Sequence, residues 1–148
     1  MTNVILLEEP GILKISYEAD ESLLIHEWFD YNPEGRDPLI FELLERIFGF
    51  FLKYPAEKVL VKADQVRGVY SPEVQSFIRE VQFPRILAQT QIHYVATVKS
   101  DEFLRRIGTD VWSGQLTQQS QLTIREFASE AEARKWLQGL APRSTPES

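Results

Sequence analysis

The run from Leu39 to Leu52 limits the possible folds of this chain more than any other segment. Its polar residues recur every three or four positions, as in a helix, and apolar residues occupy the rest of the cylinder. A helix that packs against one neighbour needs an apolar arc of only about 100°. We therefore expect this helix to lie between a sheet and a second element, or to use the surplus as a subunit interface. The candidate interface residues are Leu44, Phe48, Phe51 and Leu52.

Short β-rich runs precede and follow this helix. Val4–Leu7, Ile12–Tyr17 and Leu23–Trp28 are separated by turn-forming residues, which predicts an antiparallel meander. Asp37 is expected to cap the long helix, with Pro38 at its first position. From there on helices alternate with strands, a pattern that favours parallel pairing. The expected fold is α/β with a mixed sheet.

The second half of the chain continues this alternation. Lys58–Ala63 and Ile92–Val98 are typical of buried strands. A helix is predicted to begin at Ser71, and Pro84 is expected to kink or stop it, with Ile86 and Leu87 in a second short piece as the continuation. The next predicted elements are a helix capped by Ser100 and Asp101, a polar loop over 113–121 and a strand over 122–127. A last helix is predicted to begin with a capping box formed by Ser129 and Glu132. Its expected buried residues are Ala133, Trp136, Leu137 and Leu140.

Length and composition fit one ordinary domain. The chain has 148 residues, of which 43% are hydrophobic and 26% charged, and we expect one domain over 1–140 and a disordered tail over 141–148. There is no cysteine, and the net charge of −6 disfavours a nucleic-acid partner, since duplex binding depends on Lys and Arg. The start carries neither a signal-peptide pattern nor an apolar run that could span a membrane, so a cytoplasmic protein is expected.

Four residues between the strand at 58–63 and the next helix form the candidate site for a ligand or partner. In open α/β sheets, ligands bind at the carboxyl ends of strands. Arg67 and a helix N-terminus together suit an anion or a partner's carboxylate. The alternative is a surface ion pair between Asp64 and Arg67, which contributes little to stability. The candidate residues are Asp64, Arg67, Tyr70 and Ser71.

Ser71 has two interpretations. Ser71, Pro72 and Glu73 make a complete helix start, with a hydroxyl at the cap, proline at the first helical position and an acid in the first turn. A phosphate on Ser71 would also be stabilised at a helix N-terminus. The sequence favours the cap and keeps phosphorylation as the alternative.

No residue pattern points to catalysis. His26 and His93 are the two histidines, and both lie in predicted strands without a spacing typical of zinc sites. A Gly-x-Ser-x-Gly elbow and a Gly-rich phosphate loop are both missing from the sequence. We therefore expect no catalytic residue, no metal site and no cofactor. The tryptophans at 28, 112 and 136 are expected to pack in or beside the core.

Several local phrases occur in an order that resembles the STAS-like proteins. These proteins are relatives of the bacterial anti-sigma-factor antagonists, and the likeness is greatest to the small single-domain members of Bacteroidetes-type bacteria. The phrases are Tyr17-Glu18-Ala19-Asp20, Trp28 at the end of the third strand, the Ser71-Pro72-Glu73 helix start, and Phe127-x-Ser129-x-x-x-Ala133-x-x-Trp136-Leu137. The resemblance covers roughly residues 3–140.

This resemblance implies a STAS-like sandwich whose helices lie mainly on one face of the sheet. It also implies a non-enzymatic regulatory or protein-interaction module, since STAS domains typically act by contact. Ser71 holds the position of the antagonist phosphoserine, but it lacks the preceding Asp and the following Gly of that pattern. The expected partner is a protein, with a homodimer as one possibility. The alternative function is binding or sensing a small apolar ligand or lipid.

Overall fold

The computed structural model describes residues 3–31, 36–68, 70–99 and 123–140. The six strands in these residues form one sheet in chain order. The first three pair antiparallel, and the last three continue the sheet parallel to the third. The strands are β1 (Asn3–Glu9), β2 (Leu13–Glu18), β3 (Leu23–Trp28), β4 (Lys58–Ala63), β5 (Tyr94–Lys99) and β6 (Thr123–Phe127). The predicted α/β fold, with a meander followed by parallel strands, is confirmed.

The described helices lie in the chain where the sequence predicted them. They are α1 (Asp37–Lys53), α2 (Pro72–Phe77), a π-helical turn (Ile78–Gln82), α3 (Phe83–Gln89) and α4 (Glu130–Gln138). The predicted helix after Ser100, the polar loop over 113–121, Trp112 and the tail over 141–148 lie outside the described residues. Within the described part of the chain, no helix is long and apolar enough to cross a membrane.

The wide apolar arc of α1 is explained by contacts on two sides. Ile40, Leu43 and Ile47 are buried in one apolar cluster with residues of β2, β3 and β4. Residues of α2, the π-helical turn and α3 belong to the same cluster, among them Val74 and Ile86. The helix therefore lies between the sheet and the α2–α3 segment, as the first of the two sequence interpretations expected.

Pro84 does not stop the helical segment that begins after Ser71, and the chain continues past it as the second piece α3. The π-helical turn precedes it, and the Phe83 N–H donates to the Ile78 carbonyl, five residues back. Pro84 then falls in the first turn of α3, where an N–H group has no partner within the helix to lose. The wider turn thus lets the chain stay helical from Pro72 to Gln89.

The opposite face of the sheet carries α4. Ala133 and Leu137 are buried there with Leu60 and other strand residues, in a second apolar cluster. Trp136 and Leu140, which the sequence placed in the core, are only partly buried at its margin. Three of the four described helices therefore lie on one face, which agrees with the expected arrangement of helices mainly on one side.

His26 is buried on the α1 side of β3. Its side chain is 4% exposed and its ring stacks on that of Phe51, with ring centroids 5.4 Å apart. The Nε2 atom has no hydrogen-bond partner among the described residues, and burial lowers the pKa of His26 from 6.5 to about 4. The imidazole is therefore neutral in the folded protein at any pH well above 4.

We expect His26 to make the protein acid-sensitive. The unfolded chain takes up a proton at His26 near pH 6.5, whereas the folded protein resists protonation down to about pH 4. Stability should therefore fall by about 2 kcal/mol from this residue alone between about pH 7 and about pH 5. Urea denaturation of the wild type and His26→Leu at both pH values measures it. Carboxylates contribute equally to both proteins, so an identical pH dependence in the variant would contradict the assignment.

Candidate functional site

The site lies where β3 and β4 end side by side. Beyond the strands, Asp30 and Arg67 form one further parallel bridge. The Arg67 N–H donates to the Phe29 carbonyl and the Tyr31 N–H donates to the Arg67 carbonyl, both at 3.0 Å. The pairing of the two strands thus continues into the loops that follow them. This extension fixes the backbone at the edge of the sheet where ligands bind in related architectures.

Three aromatic rings pack against each other beside this bridge. Tyr31 stacks on Tyr70 with centroids 4.1 Å apart, and both contact Trp28, at 5.3 and 5.7 Å. The two tyrosines also share a side-chain hydrogen bond. Burial raises the pKa of Tyr31 and raises that of Tyr70 well above its ordinary value, so both phenols stay protonated. We call the set of Asp30, Tyr31, Arg67 and Tyr70 the β3–β4 clasp.

The Ser71 hydroxyl joins two helices next to this clasp. Its oxygen accepts a hydrogen bond from the Val74 N–H at 3.2 Å, which is the cap that the sequence favoured. The same hydroxyl donates to Oδ2 of Asp37 at 2.8 Å. Asp37 is the first residue of α1, so it does not cap that helix as predicted; it accepts from the cap of α2 instead. The N-terminal ends of α1 and α2 are therefore tied together.

The structure places three of the four predicted site residues together and the fourth apart from them. Arg67, Tyr70 and Ser71 belong to the clasp or lie directly beside it. Asp64 is exposed at the end of β4 and does not pair with Arg67. The Arg67 side chain is 71% exposed, and its guanidinium contacts Asp30 Oδ2 at 3.4 Å. The sequence alternative of an Asp64–Arg67 pair is thus replaced by an Asp30–Arg67 pair.

The four predicted interface residues of α1 have different environments. Leu44 and Phe51 are 4% and 8% exposed in the protein's own core, so they are not available to a second chain. Phe48 is partly buried, and the guanidinium of Arg85 lies 4.2 Å from its ring centroid. Leu52, at 53% exposed, is the only one of the four on the surface. Packing within the protein therefore accounts for most of the wide apolar arc of α1.

Neither histidine belongs to this site. His26 lies under α1, and His93 precedes β5, where its backbone N–H donates to the Glu57 carbonyl. Among the described residues, no three His, Asp or Glu side chains are grouped as a metal ion would require.

Sequence reasoning missed two residues of this region, Asp30 and Tyr31, and gave Asp37 a different role. Their roles depend on where the loop after β3 and the start of α1 come to lie, which no local pattern indicates. The one available signal was the aromatic Tyr31 three residues after a predicted strand end, where a turn usually carries polar side chains.

Comparisons with known proteins give a fold likeness only. No protein-family model matches this chain, and no curated protein matches it. Its fold is similar to the crystal structure of the nuclease MPE of Pseudomonas putida, with a TM-score of 0.54 and 9% sequence identity. The match covers 87% of this chain but 63% of that one. At this identity the likeness carries no information on activity.

We expect Ser71→Ala to destabilise the protein more than the matched change Ser129→Ala. Ser129 caps α4 by accepting from the Glu132 N–H at 3.2 Å, so its loss should cost about 1 kcal/mol. Ser71→Ala removes a similar cap and also leaves Asp37 without its donor, so its cost should be about 2 kcal/mol. Urea denaturation measures both. Equal losses would show that the Ser71–Asp37 hydrogen bond contributes nothing.

Proposed function

We propose that this protein is a non-enzymatic STAS-like module that acts by binding a protein partner at the β3–β4 clasp. The observation that carries the proposal is the exposed guanidinium of Arg67 on a rigid frame. Its backbone is held by two hydrogen bonds to the loop after β3, while 71% of its side chain remains accessible. Arginine is enriched at protein interfaces, and a pre-ordered contact loses little conformational entropy on binding.

The surroundings of Arg67 support a protein partner with an acidic side chain. Asp30 contacts the guanidinium from one side at 3.4 Å, which is a long distance for an ion pair. Because the Arg67 side chain is 71% exposed, its other donor groups stay in solvent. A partner's carboxylate can occupy these groups in a bidentate geometry. Because the net charge of the chain is −6, an acidic group on the partner is attracted mainly where a local positive group such as Arg67 lies.

Ser71 acts in this proposal as a fixed cap, not as a phosphorylation switch. A phosphate on its Oγ would replace the hydrogen that now binds Asp37 and would place two negative groups within hydrogen-bonding distance. It would also compete with the cap of α2. The binding surface is therefore constitutive, and the antagonist-like switch is not carried over to this chain.

Homodimerisation through α1 stays a prediction of the sequence, and one of its four predicted residues is well exposed. A stable interface buries roughly 1,200–2,000 Å² in total. Leu52 is the exposed member of the predicted set, and the other large apolar residues exposed in the described part of the chain, Val4, Ile5 and Val81, lie on β1 and on the π-helical turn. Sedimentation velocity of the wild type and Leu52→Glu tests it, because a dimer through α1 should dissociate in the variant.

An apolar ligand or lipid also stays a prediction, as the second class of function. Aromatic side chains suited to lining a pocket for such a ligand contact each other or the rest of the core: Trp28 packs on the two tyrosines and Phe51 on His26. Native mass spectrometry after mild purification would show a ligand mass if one is carried.

We expect Arg67→Glu to abolish capture of the partner while Arg46→Glu leaves it unchanged. Both arginines are exposed and the two variants have the same net charge, so the control separates a general charge effect from the loss of Arg67 and its contact with Asp30. Affinity capture from a lysate of the source organism, quantified by mass spectrometry, compares the variants with the wild type. A partner that is retained by Arg67→Glu, or lost equally from both variants, would contradict the assigned surface.

A further inference from the structure

The helix α4 belongs to a different apolar cluster from the other described helices. It contributes Ala133 and Leu137 to the cluster on its own face of the sheet. The cluster on the other face is built by α1, α2, the π-helical turn and α3 without any residue of α4. The sheet separates the two clusters, so the packing of α4 can be lost without disturbing the larger core.

Apolar contact between α4 and the sheet is limited. Two of the nine residues of α4 are buried, and Trp136 is partly buried against Tyr94 and Phe127, with ring centroids 6.1 and 5.7 Å apart. A helix of this length is not stable in water by itself. Its helical state therefore depends on these apolar contacts and on polar contacts with the sheet.

Charged side chains make further contacts between α4 and the sheet. The Arg134 guanidinium donates to both carboxylate oxygens of Glu18 at the end of β2, at 3.1 and 3.2 Å, and to Glu130 at 2.8 Å. Glu130 in turn contacts Lys62 of β4 at 3.0 Å, and Lys62 contacts Glu27 of β3 at 3.5 Å. We call Glu18, Glu27, Lys62, Glu130 and Arg134 the α4 ion network.

The ion network is coupled and only partly shielded. Its side chains are 18% to 37% exposed, so dissolved ions can reach them. The hydrogen bond from Arg134, followed by the contacts of Lys62, lowers the pKa of Glu130. Burial by itself would lower the pKa of Lys62, but the contacts of Glu130 and Glu27 outweigh it and raise the pKa. Lys62 and Glu130 are thus held in their charged forms by their neighbours.

We propose that α4 opens from the sheet as a separate unit and that the α4 ion network controls how often it opens. Opening uncovers an apolar strip on the sheet and leaves the α1 face intact. The strip consists of Leu23, Ile25, Leu60, Ala96 and Val98. Because charged groups hold α4 on the sheet, added salt or the loss of one charge shifts the equilibrium from the closed state toward the open state. The network is separate from the clasp, because Tyr31 and Tyr70 of the clasp belong to the apolar cluster on the α1 face of the sheet.

Hydrogen exchange of the full chain tests this proposal with a matched pair of variants. Glu130 and Glu132 both lie in the first turn of α4, and changing either to Gln removes one negative charge near the helix start. Glu130 belongs to the ion network, whereas Glu132 is exposed and has no ion pair among the described residues. Amides of α4 should exchange about fivefold faster in Glu130→Gln than in Glu132→Gln, with β4 unchanged in both.

Salt gives the second measurement. Raising NaCl from about 0.05 M to about 0.5 M shortens the Debye length to a few ångströms, which should speed exchange in α4 of the wild type and have little effect in Glu130→Gln. Lys62→Met, which keeps the apolar stem, should reproduce the Glu130→Gln result if that variant folds poorly. Exchange of α4 at the same rate as β4 would overturn separate opening. Equal rates in the two glutamine variants would overturn control by the network.

Discussion

The rest of the structure depends on the parallel pairing of β3 with β4. These strands are covered on both faces, by α1 and the α2–α3 segment on one side and by α4 on the other. Backbone groups between two apolar layers have no access to water, so strand pairing has to satisfy them. The same pairing continues through Asp30 and Arg67 and so decides where Tyr70 and Ser71 lie. The candidate site is in this sense an extension of the central ladder.

Polar side chains join the layers at a few defined points. Gln82 is buried and donates to the Leu44 carbonyl of α1 at 2.9 Å, while its own oxygen accepts from Arg85 at 2.6 Å. Arg85 also contacts Glu45 at 3.2 Å and lies over the ring of Phe48. On the other face, α4 is held by ion pairs to β2 and β4. The α1 face thus has a large apolar cluster and a buried polar contact. The α4 face has a smaller apolar cluster and partly exposed charges.

Local patterns in the sequence were sufficient for the order of the described elements and for the cap at Ser71. Periodicity and capping depend on neighbours along the chain, so one sequence contains them. The Asp30–Arg67 bridge and the Ser71–Asp37 hydrogen bond join residues 37 and 34 positions apart, and nothing local distinguishes them from solvent-exposed polar residues. Leu44 and Phe51 were open to two interpretations for the same reason, because an apolar arc does not say which neighbour covers it. At Pro84 the sequence did not indicate the wider turn that lets the chain continue as α3.

The π-helical turn absorbs one residue of the chain between β4 and β5. Its hydrogen bond from Phe83 to Ile78 spans five residues instead of the four of an α-helix, so the turn holds one residue more for about the same rotation. Deleting one residue of Ile78–Gln82 would let the helix close with ordinary spacing and would leave α3 in about the same orientation relative to α2, with Ile86 still toward the core. Related sequences with the same packing can therefore have one residue fewer here.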